Sequence, residues 1–202
     1  MARELEFYFD YGSPNAYLAH VRLPEILQRT AAALRPRIML LGGVFQATGN
    51  SSPAANKLKA PNGRRDLLRF VTKYRVPFRM NPHFPVNTLK LMRGAVVAEA
   101  EGFLAPYSDA VFAGMWRDGL DMGADDVIAG VLRDAGLDAA RIAARSAEAG
   151  IKEKLKAYTA AAVARGVFGA PTFFVGDEMF FGQDRLDFVE DALRGRSYLG
   201  AE

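Results

Sequence analysis

Three short stretches hold residues whose types and spacing could do chemistry. The first is Asp10-Tyr11-Gly12-Ser13-Pro14-Asn15-Ala16, which joins an aromatic run to a helical pattern. Ser13 suits an N-cap and Pro14 the first helical position. A helix start offers unpaired N–H groups and about half a unit of positive charge, so it stabilises an anion placed there. Ser13 therefore has two readings, a cap alone or a hydroxyl that also donates to such an anion. The second stretch is Gly169-Ala170-Pro171-Thr172, entering a strand. Pro171 fits a cis peptide, with the Ala170 backbone open to a peptide-like ligand; it equally fits a trans proline that ends the preceding helix. The third is Phe181-Gly182-Gln183-Asp184-Arg185, where a strand gives way to a helix. The Gln183 and Asp184 amides could hold a carboxylate and the Asp184 side chain an ammonium, a pair that matches a free amino-acid end. The bland alternative is an Asp cap beside an exposed Arg.

Composition limits what these stretches can do. The chain has no cysteine, and its two histidines, His20 and His83, stand apart in the sequence. Disulfide exchange, a thiolate metal site and a cysteine nucleophile are excluded, and no metal site is expected. Any soft nucleophile must arrive with a ligand. The 26 basic and 23 acidic residues leave a net charge of +3 without a basic run longer than Arg64-Arg65, so no nucleic-acid partner is expected. No stretch long enough to cross a bilayer is free of charges and breakers, and Met-Ala-Arg-Glu-Leu-Glu-Phe lacks the order of a signal peptide. A cytoplasmic protein without membrane contact is the expectation. With 202 residues, half of them hydrophobic, the chain is large enough to bury a core without staples.

The elements that must position the three stretches follow from pattern. Residues 4–10 read as a buried strand, 14–30 as a helix and 36–42 as a second strand, and the crossover makes the pair parallel. Residues 46–63 read as a long polar loop. Helical patterns fill 64–75, 87–101, 105–118, 125–135 and 138–145, with no strand signal between 50 and 150. A long helix at 146–166 leads to a strand within 167–176, a Gly176-Asp177 turn, a strand at 178–181 and a last helix ending near 194. The order is β-α-β, helical block, α-β-β-α. This is an α/β chain with the order of a thioredoxin-like domain carrying an all-helical insertion. Residues 1–45 plus 146–202 would form the thioredoxin-like domain and 46–145 the insertion. In that architecture Ser13 and Ala16 occupy the place of a redox Cys-x-x-Cys, where a helix end lowers a thiolate pKa.

Taken in order, the motifs resemble those of 2-hydroxychromene-2-carboxylate isomerases and kappa-class glutathione transferases, in the disulfide-oxidoreductase-like branch of the thioredoxin superfamily. The matching residues are Phe7-Tyr8-Phe9-Asp10, Ser13-Pro14, Tyr17-Leu18-Ala19, Asp66-Leu67, Pro82-His83-Phe84-Pro85-Val86-Asn87-Thr88-Leu89, Met92-Arg93, Gly166 to Thr172, and Phe181 to Leu186. They span residue 5 to about 194. The resemblance implies glutathione as cofactor. Ser13 would be the catalytic residue that hydrogen-bonds its thiolate, Ala170 and Pro171 would pair with its cysteinyl unit, and Gly182, Gln183 and Asp184 would hold the γ-glutamyl end. Asn56, Lys59 and Arg93 fall where the family meets an aromatic acid, Lys59 seven residues before Asp66 as in the family. The chain departs from the pattern at Gln46, where relatives often carry lysine, and at Ala60-Pro61-Asn62-Gly63, which reads as a turn. Arg93 has a second reading, as a salt-bridge partner inside the helical block.

The resemblance implies a glutathione-dependent isomerase interconverting 2-hydroxychromene-2-carboxylate and trans-o-hydroxybenzylidenepyruvate, working as a homodimer. The apolar stretch from Val111 to Trp116 is a source of dimer contacts or of monomer core. Two other functions stay open: a kappa-like glutathione transferase or peroxidase, which would consume thiol, and a non-catalytic binder of thiol peptides.

Overall fold

In the computed structural model, which describes residues 3–198, four strands make one sheet: β1 (Glu4–Phe9), β2 (Ala33–Ile38), β3 (Thr172–Val175) and β4 (Glu178–Phe181), in the order β2-β1-β3-β4. β1 and β2 are parallel across the crossover helix α1 (Pro14–Thr30), and β3 runs antiparallel to both β1 and β4. Alternation along β1 decides what each face carries. Leu5, Phe7 and Phe9 join the main core, where Phe7 stacks on Phe173 with ring centroids 5.4 Å apart. Tyr8 points to the other face, into a smaller cluster with Met39, Val44, Ala162, Val167 and Phe174. Both faces are covered at Phe7-Tyr8-Phe9, the aromatic end of β1, while Glu4 and Glu6 leave the Tyr8 face open toward its start. The turn at Gly176-Asp177 needs the positive φ of +63° that Gly176 adopts.

The helical block comprises α2 (Leu41–Thr48), α3 (Lys59–Tyr74), α4 (Leu89–Ala100), α5 (Leu104–Phe112), α6 (Asp125–Asp134) and α7 (Ala139–Ser146). α5 runs on into a π-helical turn, Ala113–Arg117. α8 (Ala149–Ala164) returns the chain to the sheet and α9 (Leu186–Leu193) closes it. No helix among the described residues is long and apolar enough to cross a membrane.

Three expectations need correction. The second strand ends at Ile38 rather than residue 42, and Leu41 begins α2. The Asp10 carboxylate accepts the Leu41 N–H at 2.8 Å, so the helix start is anchored from 31 residues away. Gly43 in α2 lies where a Cβ would sit 3.1 Å from Thr159 of α8, so the glycine is a packing site and not a break. α3 begins at Lys59, and Ala60 to Gly63 lies within its first turn and a half, not in a loop turn. Asn56 Oδ1 accepts the Leu58 and Lys59 N–H groups at 3.0 and 3.1 Å, and Pro61 sits in the first turn, where its missing N–H costs nothing. Finally, Val111 to Trp116 offers no dimer face: Val111, Phe112, Met115 and Trp116 are all within 1% of full burial in the core.

Candidate functional site

Ser13 caps α1. Its Oγ accepts the Ala16 N–H at 3.2 Å and its hydroxyl donates to the Ala170 carbonyl at 3.1 Å. The first and second stretches are thus joined directly, and Ser13 is both a cap and a donor reaching out of the helix. The Ala170-Pro171 peptide is cis. Ala170 precedes the β3 ladder, which begins at Thr172, so its peptide lies outside the sheet's pairing. The Gly182 N–H donates to the Pro171 carbonyl at 3.0 Å, which brings in the third stretch. Gly182 holds φ +100°, and a Cβ there would collide with the Asp184 carboxylate. Ser13, Ala170, Pro171 and Gly182 therefore form one hydrogen-bonded chain across the edge of the fold.

Gln183, next in line, is 3% exposed, and its Oε1 has no hydrogen-bond partner among the described residues. A buried amide oxygen left without a donor is costly, about 1–3 kcal/mol, and is a place for a ligand donor. Asp184 is exposed and lies 3.3 Å from Arg185. Its charge also reaches Tyr74 at the end of α3, whose phenol is raised first by burial and then by Asp187 and Asp184.

Beneath Ser13 the backbone is fixed by groups from far away in sequence. Asp10 is 1% exposed and accepts the Gly12 N–H at 2.8 Å on one oxygen and the Leu41 N–H on the other. Burial pushes its carboxyl above the usual range, against the pull of those two amides and of Thr88. Gly12 is hemmed in: a Cβ would meet Thr88 at 3.1 Å. The Trp116 indole N–H donates to the Tyr11 carbonyl at 2.7 Å, and the Tyr11 hydroxyl pairs with Ser108 at 2.8 Å. Sequence reasoning quoted Asp10 and Thr88 only as parts of motifs and gave Trp116 no site role.

The expected substrate residues are scattered. Asn56 and Lys59 are exposed, at the cap and first residue of α3. In the same loop Asn50 donates to the Phe168 carbonyl at 2.9 Å, tying it to the segment that leads into Ala170. Arg93 stands elsewhere, in the wall of a cavity within the helical block that has no lining residue in common with the chain around Ser13. Its salt-bridge reading does not hold either, since no carboxylate among the described residues lies within ion-pairing distance of Arg93.

A family model of the DSBA-like thioredoxin domain matches residues 4–194. A 2-hydroxychromene-2-carboxylate isomerase of Sphingobium xenophagum is 35% identical, covering 96% of this chain and 99% of that protein. Glutathione S-transferase kappa 1 of Rattus norvegicus is 26% identical over 98% of this chain and 93% of its own. The solved structure of a 2-hydroxychromene-2-carboxylate isomerase superposes with a TM-score of 0.86 at 31% identity, covering 95% of each chain.

Proposed function

We propose that this chain, which belongs to the 2-hydroxychromene-2-carboxylate isomerase family of DSBA-like thioredoxin domains, is itself a glutathione-dependent isomerase of an aromatic, ring-opened or chromene carboxylate. The observation that carries the reading is Ser13: a hydroxyl at the positive end of α1, within 3.1 Å of the cis-proline loop, in a chain without cysteine.

The residues present suit glutathione. Ser13 and the α1 start would hold its sulfur, the Ala170-Pro171 segment its cysteinyl backbone, and Gly182, Gln183 and Asp184 its γ-glutamyl end. The unpartnered Gln183 Oε1 supports this last placement, because an ammonium supplies the donor that the protein lacks there. When bound, glutathione supplies the soft nucleophile that lets a conjugated double bond become temporarily rotatable. The chain's part is electrostatic and geometric. The Ser13 proton, directed at the Ala170 carbonyl, is free to turn toward an anion at the helix end, and the α1 N–H groups keep such an anion ionised near neutral pH. Asp10, Thr88 and Trp116 hold the loop that aims Ser13. In this reading Lys59, exposed at the start of α3 with Asn56 nearby, would meet the substrate carboxylate. A homodimer in the cytoplasm belongs to the same reading.

The test is an absorbance assay of 2-hydroxychromene-2-carboxylate isomerisation with catalytic glutathione. We expect turnover that requires glutathione and leaves free thiol constant. Thiol loss in step with turnover would reassign the chain as a transferase, and glutathione binding without turnover would leave it a binder.

A further inference from the structure

The helical block forms a half-open pocket of about 630 Å³ between α4, α6 and α7, a size that fits a small organic ligand. Its body is apolar, built by Ile128, Leu132, Leu137 and Ile142. Tyr107 closes the floor: its hydroxyl donates to the Leu91 carbonyl at 2.9 Å, and Gly94 is bare where a Cβ would strike that hydroxyl. The charged groups on the wall are unequally satisfied. Lys90 pairs with Asp125 at 2.6 Å, and Asp138 caps α7 through the Arg141 N–H at 3.0 Å. Arg93, half-buried, and Arg133, exposed, are without an ion pair among the described residues. The Arg93 Nε is buried with no hydrogen-bond partner, and no carboxylate among the described residues lies within ion-pairing distance of either guanidinium.

A buried, unpartnered guanidinium nitrogen beside an apolar cavity calls for an anion with an apolar body. We propose that this cavity is a second ligand site, for a compact amphiphilic carboxylate whose acid group is held by Arg93 and Arg133 and whose ring or chain fills the space over Tyr107. It shares no lining residue with the group around Ser13, so it works as a separate site and stands or falls independently of the isomerase assignment.

The experiment is a fluorescence titration with anilinonaphthalenesulfonate, an aromatic anion, followed by displacement with naphthoate and with the uncharged naphthylmethanol. One site is expected per chain, displaced by naphthoate, poorly displaced by naphthylmethanol, untouched by glutathione and unchanged in Ser13→Ala. Arg93→Gln and Arg133→Gln should each weaken binding by about tenfold or more, and Arg93→Lys should recover part of it. Ala143→Phe, at an exposed position on the wall, should block the site without touching a charge. The thermal transition of each variant shows that it is folded. No probe binding to the wild type, equal affinity in both arginine variants, or equal displacement by the uncharged analogue would each overturn the proposal. So would binding that appears only on dilution, which would make a second copy of the chain the occupant.

Discussion

On the proposed reading Ser13 carries two jobs on one oxygen, and its replacement separates them. As a cap, its loss in Ser13→Ala should destabilise the fold by about 0.5–2 kcal/mol. As the donor to an anion at the helix end, its loss should lower kcat by roughly 10²–10³-fold, with glutathione affinity largely kept. Steady-state kinetics beside a urea titration reads both, and a normal kcat in a destabilised variant would leave Ser13 a cap only. Asp184→Asn keeps size and removes charge, so calorimetry should show glutathione binding weakened by about one to two orders of magnitude. Asp10 is a structural carboxylate. Asp10→Asn sets an amide NH₂ against one of the two N–H groups that the carboxylate accepts, and should cost about 1–3 kcal/mol. Its pH signature has a definite sign. Burial raises the folded pKa above the unfolded value of about 3.9, so the folded state binds its proton more tightly. Wild-type stability from this group is full at low pH and falls as pH rises from the unfolded to the folded pKa. Urea denaturation across that range should show the decline in the wild type and not in Asp10→Asn.

At the scale of elements, close contacts replace long side chains. Gly94 lets α4 and α5 approach until the Tyr107 hydroxyl lies against bare backbone. Gly94→Ala should therefore force Tyr107 out of place and lower stability by about 1–3 kcal/mol, read as a drop in thermal midpoint. These elements also mark how far the sequence was legible. β1, α1 and the β3–β4 hairpin could be read because their signals are local: an aromatic run, Ser-Pro at a helix start, Gly-Asp at a turn. α2 was missed because its first N–H is held by Asp10, 31 residues away, while Gly42-Gly43 reads locally as a break. The first turn of α3 was missed because Pro61 and Asn62-Gly63 are turn residues by type and outweighed the Asn56 cap, a local signal two to three residues ahead of the helix start. In the site, the three motifs could be found one at a time. The bond from Trp116 to Tyr11, spanning 105 residues, could not.

Across the whole molecule, the main core runs without a break from Phe7 and Phe9 of the sheet through Tyr11 to Phe112 and Trp116 of the helical block. The expected boundary between residues 45 and 46 falls inside α2, and the core joins the sheet to the helical block, so we propose that these two parts fold as one. Trp116 lies in the second unit and is bonded to the first, so it reports on their union. Its fluorescence and the far-UV circular dichroism should give coincident urea transitions. Separated transitions would mean that the helical block melts by itself.

On the proposed glutathione-dependent reading, a chain whose helix end presents a serine where a thiol would serve hands its most fragile atom to a replaceable partner. Oxidants attack thiolates first, and damage beyond the sulfenic stage is not undone by thiols. Here an over-oxidised sulfur would leave with the spent tripeptide, while Met39, Met92, Met115 and Met122 lie fully buried. Peroxide treatment followed by desalting and fresh glutathione should restore full activity. In this design wear falls on the reagent, and the catalyst outlasts it.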